Sequence, residues 1–325
     1  MTHNKIGLGT FPLASVFNPI TSDKAEKLVK DFIDKGGYYI DTAPLYGNGE
    51  VEKIIGRALK SVPRDSFYLI TKTVKHVDEN GTLFKSGKYE DVVKQIDNSL
   101  VRLGLDYVDC LMVHSPDKEV PIEETLRGME ELQKVGKVKD LAVSNVNLEE
   151  LKEYNKTGKI KYVQNSFSMI NRSISSELEK YFLDNKISLI PYHLLEIGLL
   201  TGIAFEDFKL GENDLRNKVT YWNEENQKVV FEWVRNYLGP IAKKLDVTIG
   251  QLNMSWALHQ SFIDFIIVGT TKTNYLDINL KANDIKLADE VLNEIDNAFK
   301  VLEATIKEKY DQTIREFRGL NEKYY

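Results

Sequence analysis

Residues 37–73 read "GYYIDTAPLYGNGEVEKIIGRALKSVPRDSFYLITKT", in which two short apolar runs flank a longer amphipathic stretch. The runs "GYYIDT" and "FYLITKT" have the length and composition of buried strands. Between them, "NGEVEKIIGRALKSV" carries its apolar residues at helical spacing. A strand, a helix and a second strand in this order are typical of a parallel β/α unit. The stretch therefore predicts the repeating element of an α/β fold.

The same alternation continues along the chain and supplies the other candidate strands. The predicted strands are "KIGLGT", "GYYIDT", "FYLITKT", "YVDCLMVH", "DLAVSN", "YVQNSF", "SLIPY" and "FIIVG". Eight such units in 325 residues indicate a closed (β/α)8 TIM barrel. A doubly wound open sheet is the alternative, but it would carry a GxGxxG turn, and "GLGTF" at 7–11 does not match that motif.

Two segments exceed what a minimal barrel needs. Residues 193–226 form a long loop after the seventh strand, at the face where barrel enzymes build binding sites. Residues 287–325 contain the helical stretches "LADEVLNEIDNAFKVLEA" and "KEKYDQTIREFRGL". No change in composition marks a boundary, so we predict one barrel domain over 1–325, with 287–325 as a C-terminal helical extension. The sequence leaves open whether this extension packs beneath the barrel, caps the cleft or contacts another subunit of a homo-oligomer.

The composition, 42% hydrophobic and 28% charged residues, is that of a globular protein with enough apolar material for a core. A net charge of −6 and a pI near 5.6 argue against nucleic acid as a partner. The sequence shows no secretory signal and no apolar run long enough to span a membrane, so we expect a cytoplasmic protein. The single cysteine, Cys110, excludes a disulfide within the chain, and the histidines lack ligand spacing, so no metal site is predicted.

Polar residues end the first predicted strands, at what would be one rim of the barrel. Asp41, Lys72 and His114 each end a strand, and Tyr46 follows Asp41 closely. Taken singly, they fit a structural acid, a surface lysine, a hydrogen-bonded histidine and a packing tyrosine. Taken together they predict an active site, because barrel enzymes place their chemistry at this rim.

The chemistry of such a set is specific. An ammonium beside a phenol lowers the phenol's pKa, ordinarily about 10, by favouring the phenolate. A carboxylate would hold the ammonium in place, and an imidazole could orient a carbonyl oxygen. The set describes a general acid that protonates a developing oxyanion, which suits reduction of a carbonyl by hydride. Because no side chain transfers hydride, a cofactor is required.

Several stretches carry a resemblance to a known family. They are "GLGTF", "DTAPLYGNGEVEKIIGRAL", "LITKT", "RLGLDYVDCLMVHSPD", "GKVKDLAVSNVNLEEL", "VQNSFSMINR" and "GLLTG". With these landmarks in order along nearly its whole length, the chain resembles the aldo-keto reductase superfamily. The resemblance implies a catalytic tetrad of Asp41, Tyr46, Lys72 and His114, with Tyr46 as the proton donor, and a nicotinamide cofactor extended across the barrel mouth.

The resemblance also implies where the cofactor binds. Its carboxamide is expected at Ser144, Asn145 and Gln164, and its ring against Tyr192. After the eighth strand, "VGTTKTNYLDINL" would hold the adenosine phosphates; glycine, threonine and a helix start suit phosphate there, although an ordinary capped turn has the same composition. The predicted cofactor-binding residues are Thr10, Ser144, Asn145, Gln164, Tyr192, Gly269, Thr270, Lys272 and Asn279.

This chain departs from the family pattern after the eighth strand. Val268 stands where a proline is usual, and Tyr275 where an arginine is common. The loss of a bidentate guanidinium weakens the preference for NADP over NAD. Since Thr270 and Lys272 can still contact a 2′-phosphate, the predicted cofactor is NADP (NADPH), with NAD as the alternative.

The substrate pocket is expected to have aromatic walls. Phe11, Phe17 and Trp222 are the candidates, although aromatic residues also fill cores. The loop 78–88 could border the same pocket. After the seventh strand the family's serine and proline are replaced, and His193 and Glu196 are expected to form a solvated pair, with direct binding of a polar substrate as the alternative.

The resulting prediction is an NADP(H)-dependent oxidoreductase that interconverts an aldehyde or ketone and its alcohol, with Tyr46 as general acid and base. Its partner is a small-molecule carbonyl substrate, with no nucleic acid and no membrane. The first alternative is a cofactor-binding regulatory or interaction protein resembling the potassium-channel β-subunits. A second is a lyase or isomerase that uses nicotinamide only transiently. The physiological substrate, the direction of reaction and the oligomeric state are left open.

Overall fold

The computed structural model describes residues 3–78, 80–202 and 210–319. Within them, eight parallel strands form one curled sheet, flanked by helices in the predicted alternation. The strands are β1 (Ile6–Gly9), β2 (Tyr39–Asp41), β3 (Tyr68–Thr73), β4 (Lys75–Val77), β5 (Leu83–Lys85), β6 (Val108–Val113), β7 (Val138–Ser144), β8 (Ile160–Gln164), β9 (Ser188–Leu189) and β10 (Ile266–Gly269). The sheet runs β10-β1-β2-β3-β6-β7-β8-β9, while β4 and β5 form a separate antiparallel hairpin. The predicted barrel of eight strands is confirmed.

Helices follow the strands and cover the outside of the sheet. They are α1 (Ser22–Asp34), α2 (Glu50–Leu59), α3 (Tyr89–Leu103), α4 (Ile122–Lys134), α5 (Leu148–Tyr154), α6 (Ser176–Asn185), α7 (Glu224–Trp233), α8 (Gly239–Lys244), α9 (Ile249–Leu258), α10 (Asn274–Lys281), α11 (Asp289–Tyr310) and α12 (Ile314–Arg318). In α2, the buried apolar residues are Val51, Ile54, Ile55, Ala58 and Leu59. This spacing places them on one face of the helix.

The barrel closes without a regular ladder between β9 and β10. The Leu189 N–H donates to the Phe262 carbonyl at 2.8 Å, and the Asp264 N–H donates to Ser188 Oγ at 2.8 Å. The residues before β10 therefore complete the circle. Inside it, one buried cluster draws on residues of several strands, including Ile70, Cys110, Met112, Ala142, Tyr162, Ile190, Phe265 and Ile267. This packed interior supports the C-terminal face of the barrel, where the strands end.

The structure corrects two local expectations. The loop predicted at 78–88 contains β5, which pairs antiparallel with β4 so that Lys85 lies opposite Lys75. In the tail, α11 continues to Tyr310 and breaks at Asp311, whose φ of 52° is left-handed, before the short α12. Residues 320–325 of the predicted extension, and 203–209 of the long loop, lie outside the described residues. The assignment of one domain with an extension at 287–325 stays a prediction.

The α11 helix packs on the barrel through one apolar face, formed by Val291, Ile295, Ala298, Leu302 and Ile306. The Trp233 indole N–H donates to the Ala298 carbonyl at 2.7 Å and ties α7 to this helix. In the described part of the chain, no helix is both long enough and apolar enough to cross a membrane. The same residues contain no group of three metal-ligating side chains.

Candidate active site

Asp41, Lys72 and Tyr46 meet at the C-terminal rim of the barrel. Asp41 pairs in register with Ile70 of β3, so Lys72, two residues further along, projects from the same face. The Lys72 ammonium donates to both carboxylate oxygens of Asp41, at 2.8 and 2.7 Å. It also lies 3.3 Å from the Tyr46 hydroxyl. The side chains of Lys72 and Asp41 are 1% and 6% exposed, so each charge is buried against the other.

The electrostatics differ from the sequence-based expectation. Burial raises the pKa of Tyr46 above its ordinary value, and the neighbouring Lys72 ammonium opposes this without reversing it. Burial by itself would lower the pKa of Lys72, but the Asp41 carboxylate raises it above the usual value. Tyr46 is therefore a protonated phenol beside a charged ammonium at neutral pH. Lys72 thus acts on the pKa of Tyr46 in the predicted direction, but desolvation is the larger effect and sets the net shift.

His114 lies across from Tyr46, with the two ring centroids 6.1 Å apart and the rings nearly perpendicular. Burial, then the charges of Lys72, Lys75 and Lys85, lower the pKa of His114 well below its ordinary value. The imidazole is therefore neutral at physiological pH. A neutral imidazole can donate one hydrogen bond to a substrate oxygen. It carries no extra proton, so it does not act as a second acid beside Tyr46.

The residues expected to hold a carboxamide form one hydrogen-bonded chain. Ser144 Oγ donates to the Gln164 carbonyl at 2.7 Å, and Asn145 Nδ2 donates to the His114 carbonyl at 2.9 Å. The Tyr192 hydroxyl donates to Asn145 Oδ1 at 2.7 Å. Gln164 Nε2 reaches Asp41 Oδ2 at 3.1 Å and so connects this chain to the buried ion pair.

The turn before α10 lies at another part of the same cavity. Thr270 Oγ1 accepts a hydrogen bond from the Lys272 N–H at 3.1 Å and so fixes the turn. The Lys272 ammonium lies 5.9 Å from the centre of the Tyr275 ring. No carboxylate among the described residues forms an ion pair with Lys272. Gly269 and Asn279 line the cavity beside it.

One cavity of about 530 Å³ joins these groups. The predicted residues on its wall are Phe11, Phe17, Asp41, Tyr46, His114, Ser144, Asn145, Gln164, Tyr192, His193, Gly269, Thr270, Lys272 and Asn279. Lys72 is hydrogen-bonded to Asp41 and Tyr46 directly behind this wall. Its lining includes both Tyr46 and the residues Lys272 and Asn279 at the α10 turn.

Besides Lys72, the predicted residues Thr10 and Trp222 lie behind the cavity wall instead of on it. Thr10 is fully buried, and its hydroxyl donates to the Asp41 carbonyl at 2.8 Å. Trp222 is 4% exposed, and its indole N–H donates to the Glu196 carbonyl at 3.2 Å. The Arg216 guanidinium lies 4.9 Å from the Trp222 ring and itself lines the cavity. Thr10 and Trp222 therefore support the residues that face the cavity.

Glu196 contradicts the expected solvated pair. It is fully buried, accepts a short hydrogen bond from Ser168 Oγ, and forms an ion pair with Arg318 of α12 at 2.9 Å. The expectation failed because the C-terminal helix covers the loop, and helix and loop are far apart in sequence. His193 is half-buried; burial and the Arg318 charge lower the pKa of its imidazole to about 3.

Three functional residues, Lys75, Arg216 and Arg318, were not predicted from the sequence. Lys75 and Arg216 line the cavity, and Arg318 anchors the loop beside it. The closeness of Lys75 to Lys72 in "TKTVKH" was an available signal for the first of them. No sequence pattern pointed to Arg318, because its partner Glu196 lies 122 positions away.

Comparisons with known proteins identify the family of the chain. A sequence profile described as the Aldo/keto reductase family matches residues 5–300. The chain is 32% identical to aldo-keto reductase YhdN of Bacillus subtilis (strain 168), over 94% of this chain and 92% of that protein. It is 31% identical to the NADH-specific methylglyoxal reductase of Escherichia coli (strain K12), over 89% and 92% of the two chains. The glycerol dehydrogenase AKR11B4 from Gluconobacter oxydans has the same fold, with a TM-score of 0.84 at 24% identity, covering 95% and 93%.

The fold and these comparisons place the chain among the barrel oxidoreductases. It belongs to the Aldo/keto reductase family. It is therefore an enzyme that uses a nicotinamide cofactor and acts on small carbonyl compounds.

Proposed function

We propose that this enzyme interconverts an aldehyde or ketone and its alcohol with NADP(H), and that Tyr46 is its general acid and base. The observation that carries the proposal is the contact of the Tyr46 hydroxyl, on the cavity wall, with the Lys72 ammonium at 3.3 Å. Lys72 is held in turn by both oxygens of Asp41. A proton donor is thus fixed where a substrate oxygen would become an alcohol.

In the reductive direction, Tyr46 donates its proton to the substrate oxygen as negative charge develops there. The raised pKa of Tyr46 keeps this proton in place before the reaction. The fixed positive charge of Lys72 stabilises the phenolate that remains, and more so in a buried site than in water. The neutral His114 orients the carbonyl by a hydrogen bond. NADPH, when bound, supplies the hydride.

The residues of the cavity wall fit such a cofactor. Ser144, Asn145 and Gln164 bring hydroxyl and amide groups together on one wall, and these pair well with a carboxamide. Tyr192 presents a flat ring beside them. Gly269, Thr270, Lys272 and Asn279 would bind the adenosine phosphates and base at the turn before α10.

The preference for NADP(H) over NAD(H) rests on charge. Lys272 lines the cavity without an ion-pair partner among the described residues, so its ammonium is available to a 2′-phosphate. Among the lining residues, Asp41 is the one carboxylate, and it is engaged by Lys72. A site for NAD commonly offers a carboxylate to the free ribose hydroxyl. Because the Escherichia coli relative is named as NADH-specific, membership of the family does not decide between NADP(H) and NAD(H).

Replacement of the proton donor tests the proposed chemistry. Tyr46→Phe removes one oxygen and is expected to lower kcat about 10²–10⁴-fold with any carbonyl substrate that the parent enzyme reduces. Tyr237→Phe is the matched control, because Tyr237 is exposed on the outside of the barrel. Full turnover by Tyr46→Phe would refute the assignment of Tyr46 as the acid.

Titration with NADPH and NADH tests the cofactor preference. Quenching of tryptophan fluorescence is expected to show tighter binding of NADPH. Lys272→Ala should weaken NADPH binding about tenfold or more, with little effect on NADH, since a charged hydrogen bond is lost. Lys281→Ala, at the exposed far end of α10, is the control. Tighter NADH binding would overturn the role of Lys272 while leaving the catalytic residues in place.

The alternatives predict different outcomes. A lyase or isomerase would regenerate its cofactor, so loss of NADPH absorbance in step with product would exclude it. The regulatory protein resembling potassium-channel β-subunits is not favoured, since the family comparisons point to named reductases.

A further inference from the structure

Lys75 is a buried cation that the proposed chemistry does not use. It begins β4, is 3% exposed, and lines the same cavity as Tyr46 and His114. Among the described residues, no carboxylate forms an ion pair with its ammonium. An unpaired charge in a buried position is costly. The chain therefore keeps at this wall a positive charge that lacks a counter-charge.

A second lysine increases this excess of positive charge. Lys75 pairs directly with Lys85 across the β4–β5 hairpin, so the two side chains leave the same face. Like charges directly opposite each other destabilise a hairpin. The Lys85 ammonium donates to the Pro116 carbonyl at 3.1 Å, two residues beyond His114.

The nearby carboxylates are engaged elsewhere. Asp91 accepts a hydrogen bond from Ser86 Oγ at 2.5 Å, and Asp117 accepts one from the Gly87 N–H at 3.0 Å. Asp41 is taken by Lys72. Asp78, which lines a separate pocket together with Lys75 and Asp91, accepts hydrogen bonds from the Asn80 and Thr82 N–H groups at 2.9 and 2.7 Å. Among the residues that line the cavity with Lys75, the one carboxylate is therefore that of Asp41, which Lys72 engages.

The backbone holds Lys75 in this place at a cost. Val74, directly before it, has a φ of 79°, a conformation that a β-branched residue rarely adopts. The Gln95 side chain fixes this kink: its oxygen accepts from the Val74 N–H at 3.0 Å, and its nitrogen donates to the Lys75 carbonyl at 2.6 Å. Backbone strain held by a buried clamp is common at functional sites.

We infer that Lys75 binds a carboxylate of the substrate, so that the enzyme's preferred substrates are aldehydes or ketones carrying a carboxylate away from the carbonyl. The inference rests on the proposed function, because it concerns the substrate that Tyr46 would protonate. Lys85 and Lys72 do not line the cavity, so Lys75 presents a single ammonium at this wall. A single ammonium matches a monoanion, which favours a carboxylate over a dianionic phosphate. Burial, then Lys85 and Lys72, lower the pKa of Lys75 to about 8, so most of the ammonium is charged at neutral pH.

Two aldehydes that differ only in charge test this inference. 4-Carboxybenzaldehyde and its methyl ester are compared by kcat/KM in the parent enzyme, in Lys75→Met and in Lys75→Arg. The acid-to-ester ratio is expected to fall about tenfold or more in Lys75→Met, because a charged hydrogen bond is lost, and to be largely restored in Lys75→Arg. Lys88→Met, an exposed lysine before α3, should keep the parent ratio. An unchanged ratio in Lys75→Met overturns the inference.

A binding experiment separates this inference from the proposed function. Calorimetry with benzoate and benzamide requires no turnover. Benzoate is expected to bind the parent enzyme about tenfold or more tightly than Lys75→Met, with benzamide showing no such difference. Equal benzoate affinity, or none in the parent, overturns the carboxylate site. Absence of turnover with both aldehydes would count against the proposed reductase, while the benzoate result would still decide the role of Lys75.

Discussion

Of the buried ion pairs beside the cavity, two differ in how the chain brings them together. Asp41 and Lys72, 6% and 1% exposed, come from neighbouring parallel strands. Glu196 and Arg318, 0% and 2% exposed, join the loop after β9 to the C-terminal helix α12. The first pair touches the proposed proton donor, whereas the second holds a loop whose next residues, Ile197 and Gly198, line the cavity.

Burial alone does not assign a role to an ion pair. A buried pair loses much of its Coulomb attraction to desolvation, so it is weak support for stability by itself. Asp41 and Lys72 act on a third group, the Tyr46 hydroxyl, and we therefore assign them a part in chemistry. Glu196 and Arg318 act on the backbone of a loop, and we expect their loss to appear first in folding and loop order.

The largest effect is expected from Lys72→Met. It leaves Asp41 buried without its partner and removes the charge that stabilises the phenolate, so kcat should fall about 10²–10⁴-fold. Steady-state kinetics with any reduced carbonyl measures this. Lys60→Met, on the exposed end of α2, is the matched control. A kcat near that of the parent would remove the proposed distinction between the two pairs.

Arg318→Met should act on stability more than on chemistry. It leaves Glu196 as an uncompensated buried carboxylate, which costs about 3–5 kcal/mol in comparable cases. Urea unfolding measures the loss, and kcat under folding conditions should change much less than in Lys72→Met. Adding Glu196→Gln removes the stranded charge and is expected to recover part of the stability. If the double variant were as unstable as the single one, the ion pair would not be the cause.

The pH dependence of stability reports on the second region. His193 has a pKa lowered to about 3 by burial and by Arg318, so between pH 6.5 and 3 the unfolded chain binds the proton more readily. This contribution to stability is complete above the unfolded pKa and is lost as pH falls, by about 1.4 kcal/mol per pH unit at most. In His193→Gln, the free energy of unfolding measured in urea should depend less on pH between pH 7 and 5. An equally steep dependence in that variant would assign the effect to other groups.

The smallest effect is expected from an exposed pair. Lys228 and Glu224, one turn apart on α7, form an ion pair at 2.9 Å with both side chains largely in solvent. Exposed pairs contribute little to stability. Lys228→Ala should leave both the urea midpoint and kcat unchanged within error. A clear loss of stability would show that contact geometry, more than burial, determines how much each ion pair of this protein contributes to stability.

Much of the first region was predictable because strand order fixes it. The alternation of apolar strands and amphipathic helices predicts that β2 and β3 are neighbours in a parallel sheet, as they are. Residues at the carboxyl ends of neighbouring parallel strands lie at the same rim of the barrel. The contact of Asp41 with Lys72 follows from this register. Its strength, and the net rise of the Tyr46 pKa, did not follow, since both depend on how completely the site is desolvated.

The second region was not predictable in the same way. Trp222 was expected on the cavity wall, but the Arg216 guanidinium lies there and the indole packs behind it. Glu196 was expected in solvent and is covered by α12. Loops and helix ends obey no register that would relate them to each other, so their contacts depend on the packing of the whole chain.

The sequence by itself determined the order of strands and helices and the polar residues that end the strands, because the periods of strand and helix are local properties. The family of the protein follows from the same landmarks. The tertiary structure alone decided which charges are buried, which of them are paired, and that Lys75 faces the cavity without a counter-ion. These depend on distances between residues far apart in the chain and on the exclusion of water, and neither is encoded in a local pattern.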